Sequence, residues 1–176
     1  MKERRYKKEY RTVLKIDPKT GRERAEAEYI GAYYRFEGDP ARARALRLMP
    51  WAGLFWAALL VYLKTARATG RFMAALVPAL VALLPGFYMV LGLVSLLRAP
   101  EKLTVVDLEN GPGRLVRASL GCGVFTAVSA AGAAVCLFMN RAWPAAWYEA
   151  LLPALACAAA WMAFVRARRD FREARK

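Results

Sequence analysis

Histidine is absent from this 176-residue chain, cysteine occurs three times, and the long apolar stretches contain a single acid. Without histidine the chain lacks the commonest metal ligand and the side chain that titrates near neutrality. Cys122, Cys136 and Cys157 stand 14 and 21 residues apart inside apolar blocks, so there is no CxxC pair for zinc or redox work. They read as small packing residues. No HExxH, GxSxG or Walker loop occurs, and no span carries a carboxylate pair. Asn110-Gly111-Pro112-Gly113 has turn composition but lacks the strand, glycine loop and helix-borne lysine that cradle a phosphate. A non-enzymatic protein with no catalytic residue, cofactor or metal is expected.

What the chain does have is apolar length. Hydrophobic residues make up 58% of it, against roughly 45–50% in soluble domains, where they come in short periodic runs. Here they are gathered into four blocks. Leu48–Leu63 holds 16 residues without a charge, Phe72–Leu97 holds 26, Ala118–Asn140 holds 23, and Ala142–Val165 holds 24 with Glu149 as its one acid. About 20 apolar residues in a helix cross the ~30 Å hydrocarbon layer of a bilayer. The first block is short and needs Arg47 and Lys64 to snorkel; the other three suffice as they stand. The first 45 residues are polar, so no cleavable signal peptide precedes the first block, which is expected to act as an uncleaved anchor.

A net charge of +14 would suggest nucleic acid in a soluble protein. Its distribution argues otherwise. The segment before the first block, the connection between blocks two and three, and the tail together hold 24 of the 28 Lys and Arg; the two remaining connections hold 4. Positive residues stay on the cytoplasmic side, so an even number of spans with both termini cytoplasmic is expected, and nucleic acid is not favoured. Trp51 and Tyr62 near the ends of the first span fit an interfacial aromatic belt, as do Trp143, Trp147, Tyr148 and Trp161 in the fourth.

The N-terminal segment reads as a β-hairpin. Tyr10, Thr12, Leu14 and Ile16 alternate with Arg11 and Lys15, Asp17-Pro18-Lys19-Thr20-Gly21 supplies turn chemistry, and Ala25, Ala27 and Tyr29 alternate with charge on the return. The register that matches apolar with apolar pairs Tyr10 with Tyr29, Arg11 with Glu28 and Leu14 with Ala25. A second hairpin is expected in the loop 99–117, from the β-rich Leu103-Thr104-Val105-Val106, the Asn110–Gly113 turn and Arg114-Leu115-Val116. Asp39-Pro40 resembles an N-cap with proline at the first helical position, opening a short basic helix at the membrane surface that Pro50 bends into the first span.

The expected architecture is an all-α membrane bundle of four transmembrane helices with a small cytoplasmic β-hairpin. Its parts are the hairpin segment (1–38), an interfacial basic helix (39–49), the transmembrane domain (50–165, with spans near 48–64, 72–97, 118–140 and 143–165 and a cytoplasmic loop 98–117) and a basic cytoplasmic tail (166–176). Ala75-Leu76-Val77-Pro78-Ala79-Leu80 resembles Ala150-Leu151-Leu152-Pro153-Ala154-Leu155, offset by 75. Two copies of a hairpin-plus-two-span unit would give that match, though Ala, Leu and Pro are common enough in membrane helices for chance to be the better account.

Three groups are candidate sites. Glu149, with the helix-breaking Pro78 and Pro85, would form a polar membrane site; the plainer reading places Glu149 at headgroup depth beside Arg141 and the prolines at tolerated kinks. Tyr29, Tyr33, Tyr34 and Phe36 would dock a partner. Arg42, Arg44, Arg47, Arg166, Arg168 and Arg169 would contact anionic lipid on the cytoplasmic side. The third block is rich in small residues, with Ala127/Ala131 and Ser129/Ala133 spaced for close helix approach within the bundle or against a second copy. The function expected is an accessory or interaction subunit of a cell membrane, with a protein partner or self-association; the alternative is a small homodimeric transporter or channel. The Ala- and Arg-rich composition points to a bacterial source.

Overall fold

Backbone polar groups have no water to bond with inside a bilayer, so an apolar block that enters one must close its own hydrogen bonds as a helix. The computed structural model shows this four times. It describes residues 10–16, 23–31, 33–36, 39–100, 102–141 and 143–174. Two strands, β1 (Tyr10–Ile16) and β2 (Glu23–Tyr29), precede α1 (Ala41–Thr65) and α2 (Met73–Leu97). A short α3 (Val105–Leu108) runs through one π-helical turn (Glu109–Gly113) into α4 (Arg114–Met139), and a one-turn α5 (Trp143–Ala146) precedes α6 (Tyr148–Ala174).

Four helical stretches are long and apolar enough to cross a membrane: Ala41–Thr65, Met73–Leu97, Val105–Met139 and Tyr148–Glu173. No more than 39% of the most apolar window of any of them is covered by protein. The rest faces outward, with Leu84, Phe87 and Val124 each more than half exposed. Such a belt suits lipid better than water. The four helices stand in a ring in the order α1, α2, α4, α6, each packing chiefly on its two neighbours.

The seams of the ring explain the prolines and small residues. Pro78 lacks the N–H that would bond the Ala74 carbonyl, and Gly132 of α4 lies against that carbonyl so closely that a Cβ there would stand 2.5 Å from the oxygen. Ser129, one turn earlier, donates a 2.7 Å bond to the Ala75 carbonyl. Pro85 packs beside Gly121. The neighbouring helix thus packs small residues against both proline turns. Ser129 and Ala133 are buried in this seam, whereas Ala127 and Ala131 face outward. The three cysteines are free, and each Sγ faces a carbonyl oxygen across a seam: Cys122 that of Ala82, Cys136 that of Ala68 and Cys157 that of Gly123.

The hairpin has the expected register, with Tyr10 opposite Tyr29, Arg11 opposite Glu28 and Leu14 opposite Ala25. Its turn, Asp17–Gly21, lies outside the described residues. The second hairpin does not form. Thr104 and Asp107 make a capping box, in which the Asp107 N–H donates to Thr104 Oγ1 while the Thr104 N–H donates to Asp107 Oδ2 at 3.1 Å. This starts a helix where β-branched residues suggest a strand. The Asn110–Gly113 stretch then continues as the wide turn, its glycines and proline buried against Leu96 and Phe171. With no second hairpin, the two halves of the chain do not repeat as a hairpin-plus-two-span unit. Pro78 and Pro153 nevertheless stand equally far into α2 and α6, and Ala75 and Ala150 share one small buried cluster.

The basic helix expected over Ala41–Met49 and the first span are one continuous helix, α1, which passes Pro50 without a break. Asp39 does not cap it. Its carboxylate instead pairs with Arg47 at 2.7 Å. The basic tail is likewise the last part of α6.

Candidate functional site

Glu149 sits in the first turn of α6 and is 1% exposed. A buried carboxylate needs donors, and the α1–α2 loop supplies four. The Arg67 and Ala68 amides donate to Oε1 at 3.0 and 3.1 Å; the Thr69 amide and its Oγ1 both donate to Oε2 at 2.8 Å. Three successive N–H groups converging on one anion form a backbone nest, here filled by the chain's own side chain. Tyr62, fully buried, stands behind it with its hydroxyl 3.3 Å from Thr69 Oγ1. Two expectations change as a result. Tyr62 belongs to the core rather than to an interfacial belt. Glu149 does not pair with Arg141, which is exposed in a turn at φ 51°.

Glu149 and Pro85 do not meet in one polar site. Its carboxylate is engaged by residues 67–69, ahead of α2, while Pro85 lies twelve residues into that helix, roughly 18 Å along it at 1.5 Å per residue. As a buried acid with all four donors in place, Glu149 is a latch between α6 and the first loop.

The opposite end of the ring has a second latch. Arg44 of α1 is 6% exposed, and its Nη1 reaches Asp170 Oδ1 at 2.8 Å and Glu173 Oε2 at 2.6 Å on α6. Its Nε donates to the Asp39 carbonyl at 3.2 Å, and its guanidinium lies 4.8 Å from the Phe36 ring centroid. Arg44 therefore holds two helices together and is not a lipid contact. Arg42, Arg47, Arg166, Arg168 and Arg169 are exposed. Arg166 stacks over Trp51 and Arg168 approaches Phe164. Trp147 and Trp161 are a little over half exposed, as membrane-facing rings would be.

The expected docking quartet divides. Phe36 is buried beneath Arg44. Tyr34 forms a two-bond bridge with Leu103, each amide donating to the other's carbonyl at 2.9 Å. Tyr33 and Ile30 are exposed, and Tyr29 and Tyr10 are half-buried beside them. Tyr29 stacks edge-on with Tyr10 and with Tyr33, both at 5.1 Å between centroids, and Ile30 and Tyr33 are 59% and 57% exposed. The Val105 amide approaches the Tyr29 hydroxyl at 3.4 Å. The sequence marked these aromatics but could not say which side met the bundle; the partner of Tyr34 is a backbone edge, whose two hydrogen-bonding groups every non-proline residue possesses.

Among the described residues, no group of three or more His, Cys, Asp or Glu side chains could hold a metal ion. No protein-family model, curated protein or solved structure matches the chain.

Proposed function

We propose that this is a non-enzymatic, multi-pass protein of a bacterial cell membrane, threaded with both termini in the cytoplasm, that serves as an accessory subunit docking a protein partner. The supporting observation is the aromatic face of Tyr10, Tyr29, Ile30 and Tyr33. Ile30 and Tyr33 are exposed, Tyr10 and Tyr29 are half-buried beside them, and the group is carried on a hairpin tied to the bundle by the Tyr34–Leu103 bridge. Exposed aromatics on a positioned element favour association, because rings bury much area at little entropic cost. The charge asymmetry of 24 to 4 supports the threading.

The test is affinity purification from native membranes in mild detergent, comparing the natural chain with Ile30→Ser/Tyr33→Ser. A stoichiometric companion lost in the variant supports the reading. Absence of any companion from the natural chain counts against it. Accessibility of single engineered cysteines at positions 11 and 141, in a background with the three natural cysteines replaced, reports the threading. The alternative of a homodimeric transporter or channel gains nothing from Glu149, whose carboxylate already has four donors.

A further inference from the structure

Between α2 and α4 lies an open groove of about 320 Å³ lined by Pro85, Tyr88, Arg114, Arg117 and Ala118. We propose that it holds the phosphate headgroup of one anionic glycerophospholipid. Two guanidinium groups one helical turn apart face the groove, and neither has a carboxylate partner among the described residues. Arg114 Nη2 donates to Asn110 Oδ1 at 3.0 Å and Arg117 Nε to the Gly113 carbonyl at 3.2 Å. Both bonds are local and fix the side chains while leaving them charged. Arginine's planar fork suits phosphate oxygens. Tyr88, half exposed, adds a hydroxyl to the same wall.

The groove's surroundings favour a lipid over a free anion. Val81 and Leu84 precede Tyr88 by seven and four residues, on the same side of α2. Leu120 and Val124 follow Arg117 by three and seven residues, on the same side of α4. All four are exposed, between 40% and 67%. A cationic head site therefore opens onto two apolar stripes that an acyl chain would cover, at the end of the bundle joined by the positively charged connections. The four helices of the membrane reading are required for this inference; the protein partner and the direction of threading are not.

The site is tested by native mass spectrometry of the full chain in detergent, titrated with phosphatidylglycerol, phosphatidylcholine or inorganic phosphate. The natural chain should retain one phosphatidylglycerol in clear preference to phosphatidylcholine. Arg114→Gln/Arg117→Gln should weaken that binding roughly thirty-fold, taking about 1 kcal/mol for each charge. Arg114→Lys/Arg117→Lys should retain most of it. Arg42→Gln/Arg47→Gln, which removes equal charge elsewhere, should change it less than threefold. Equal losses in the two glutamine variants would mean diffuse attraction and overturn the site. Inorganic phosphate binding as tightly as the lipid would overturn the lipid assignment. Because detergent binding does not depend on threading, failure here is distinct from failure of the cysteine-accessibility test.

Discussion

Glu149 and Thr69, 80 residues apart in sequence, are joined by two 2.8 Å hydrogen bonds, one from the Thr69 amide and one from its hydroxyl, both to Oε2. The bond carries charge, is buried, and fixes the start of the last helix to the first loop. Hydrogen bonds to charged groups contribute about 1.5–3 kcal/mol, and removing the acceptor leaves the loop amides unsatisfied. Glu149→Gln should therefore lower stability by about 2 kcal/mol, because one amide end would present N–H to N–H. Glu149→Ala should cost at least as much. Thermal unfolding in detergent gives the comparison, and an unchanged midpoint in the glutamine variant would refute the latch.

Arg44 and Asp170 should be coupled. Taking away one member of a buried charged pair strands the other, so Arg44→Leu and Asp170→Leu should each destabilise by about 2 kcal/mol. The double variant should cost clearly less than the sum, and unfolding of all four proteins completes the cycle. Strict additivity would show that the two charges act independently.

The α2–α4 seam predicts an order of severity. A side chain at Gly132 meets the Ala74 carbonyl at 2.5 Å from the first added carbon, and this atom is backbone, which cannot swing aside. Gly132→Val should cost about 3 kcal/mol by overpacking, and Gly132→Ala less. Ser129→Ala, which removes only the bond to the Ala75 carbonyl, should cost about 0.6 kcal/mol. Detergent unfolding midpoints should rank the three in that sequence.

The Leu103 side chain, fully buried, anchors in the core the backbone that bridges to Tyr34, and a carboxylate there would be buried without a partner. Leu103→Asp should free the hairpin from the bundle. Amide exchange at residues 28–36 is then expected to quicken at least tenfold, a loss of about 1.4 kcal/mol of local protection. Exchange within α2 and α6 should stay as it was; general acceleration would mean that the bundle itself had loosened.

The parts legible in the sequence are those that depend on repetition. Four apolar blocks announce four helices because a bilayer demands length. The alternation around Tyr10 and Tyr29 sets the hairpin register because a shift of one residue would turn every side chain over. What escaped depends on a single partner. Thr104 and Asp107 have capping-box spacing, yet the β-branched run from Thr104 to Val106 and the glycines after it outweighed that signal. Arg44 looked like its neighbours Arg42 and Arg47; Asp170 and Glu173, three residues apart and the only acids after Glu149, were the clue that one arginine is claimed. The role of Glu149 left no such trace, since its donors are mostly backbone amides, which every non-proline residue possesses.

Both latches draw on α6, and this gives the molecule a direction in time. Synthesis proceeds from the N-terminus, so Arg44 and the amides of residues 67–69 are made before Glu149, Asp170 and Glu173 exist. Until α6 emerges, the loop amides lack their carboxylate and Arg44 lacks its two acids, with only the Asp39 carbonyl and the Phe36 ring as the contacts described above. A chain cut short before Tyr148 would lack both latches, at opposite ends of the ring. Emergence of α6 and closure of the ring are thus one event, and a chain without that helix lacks both of its fastenings.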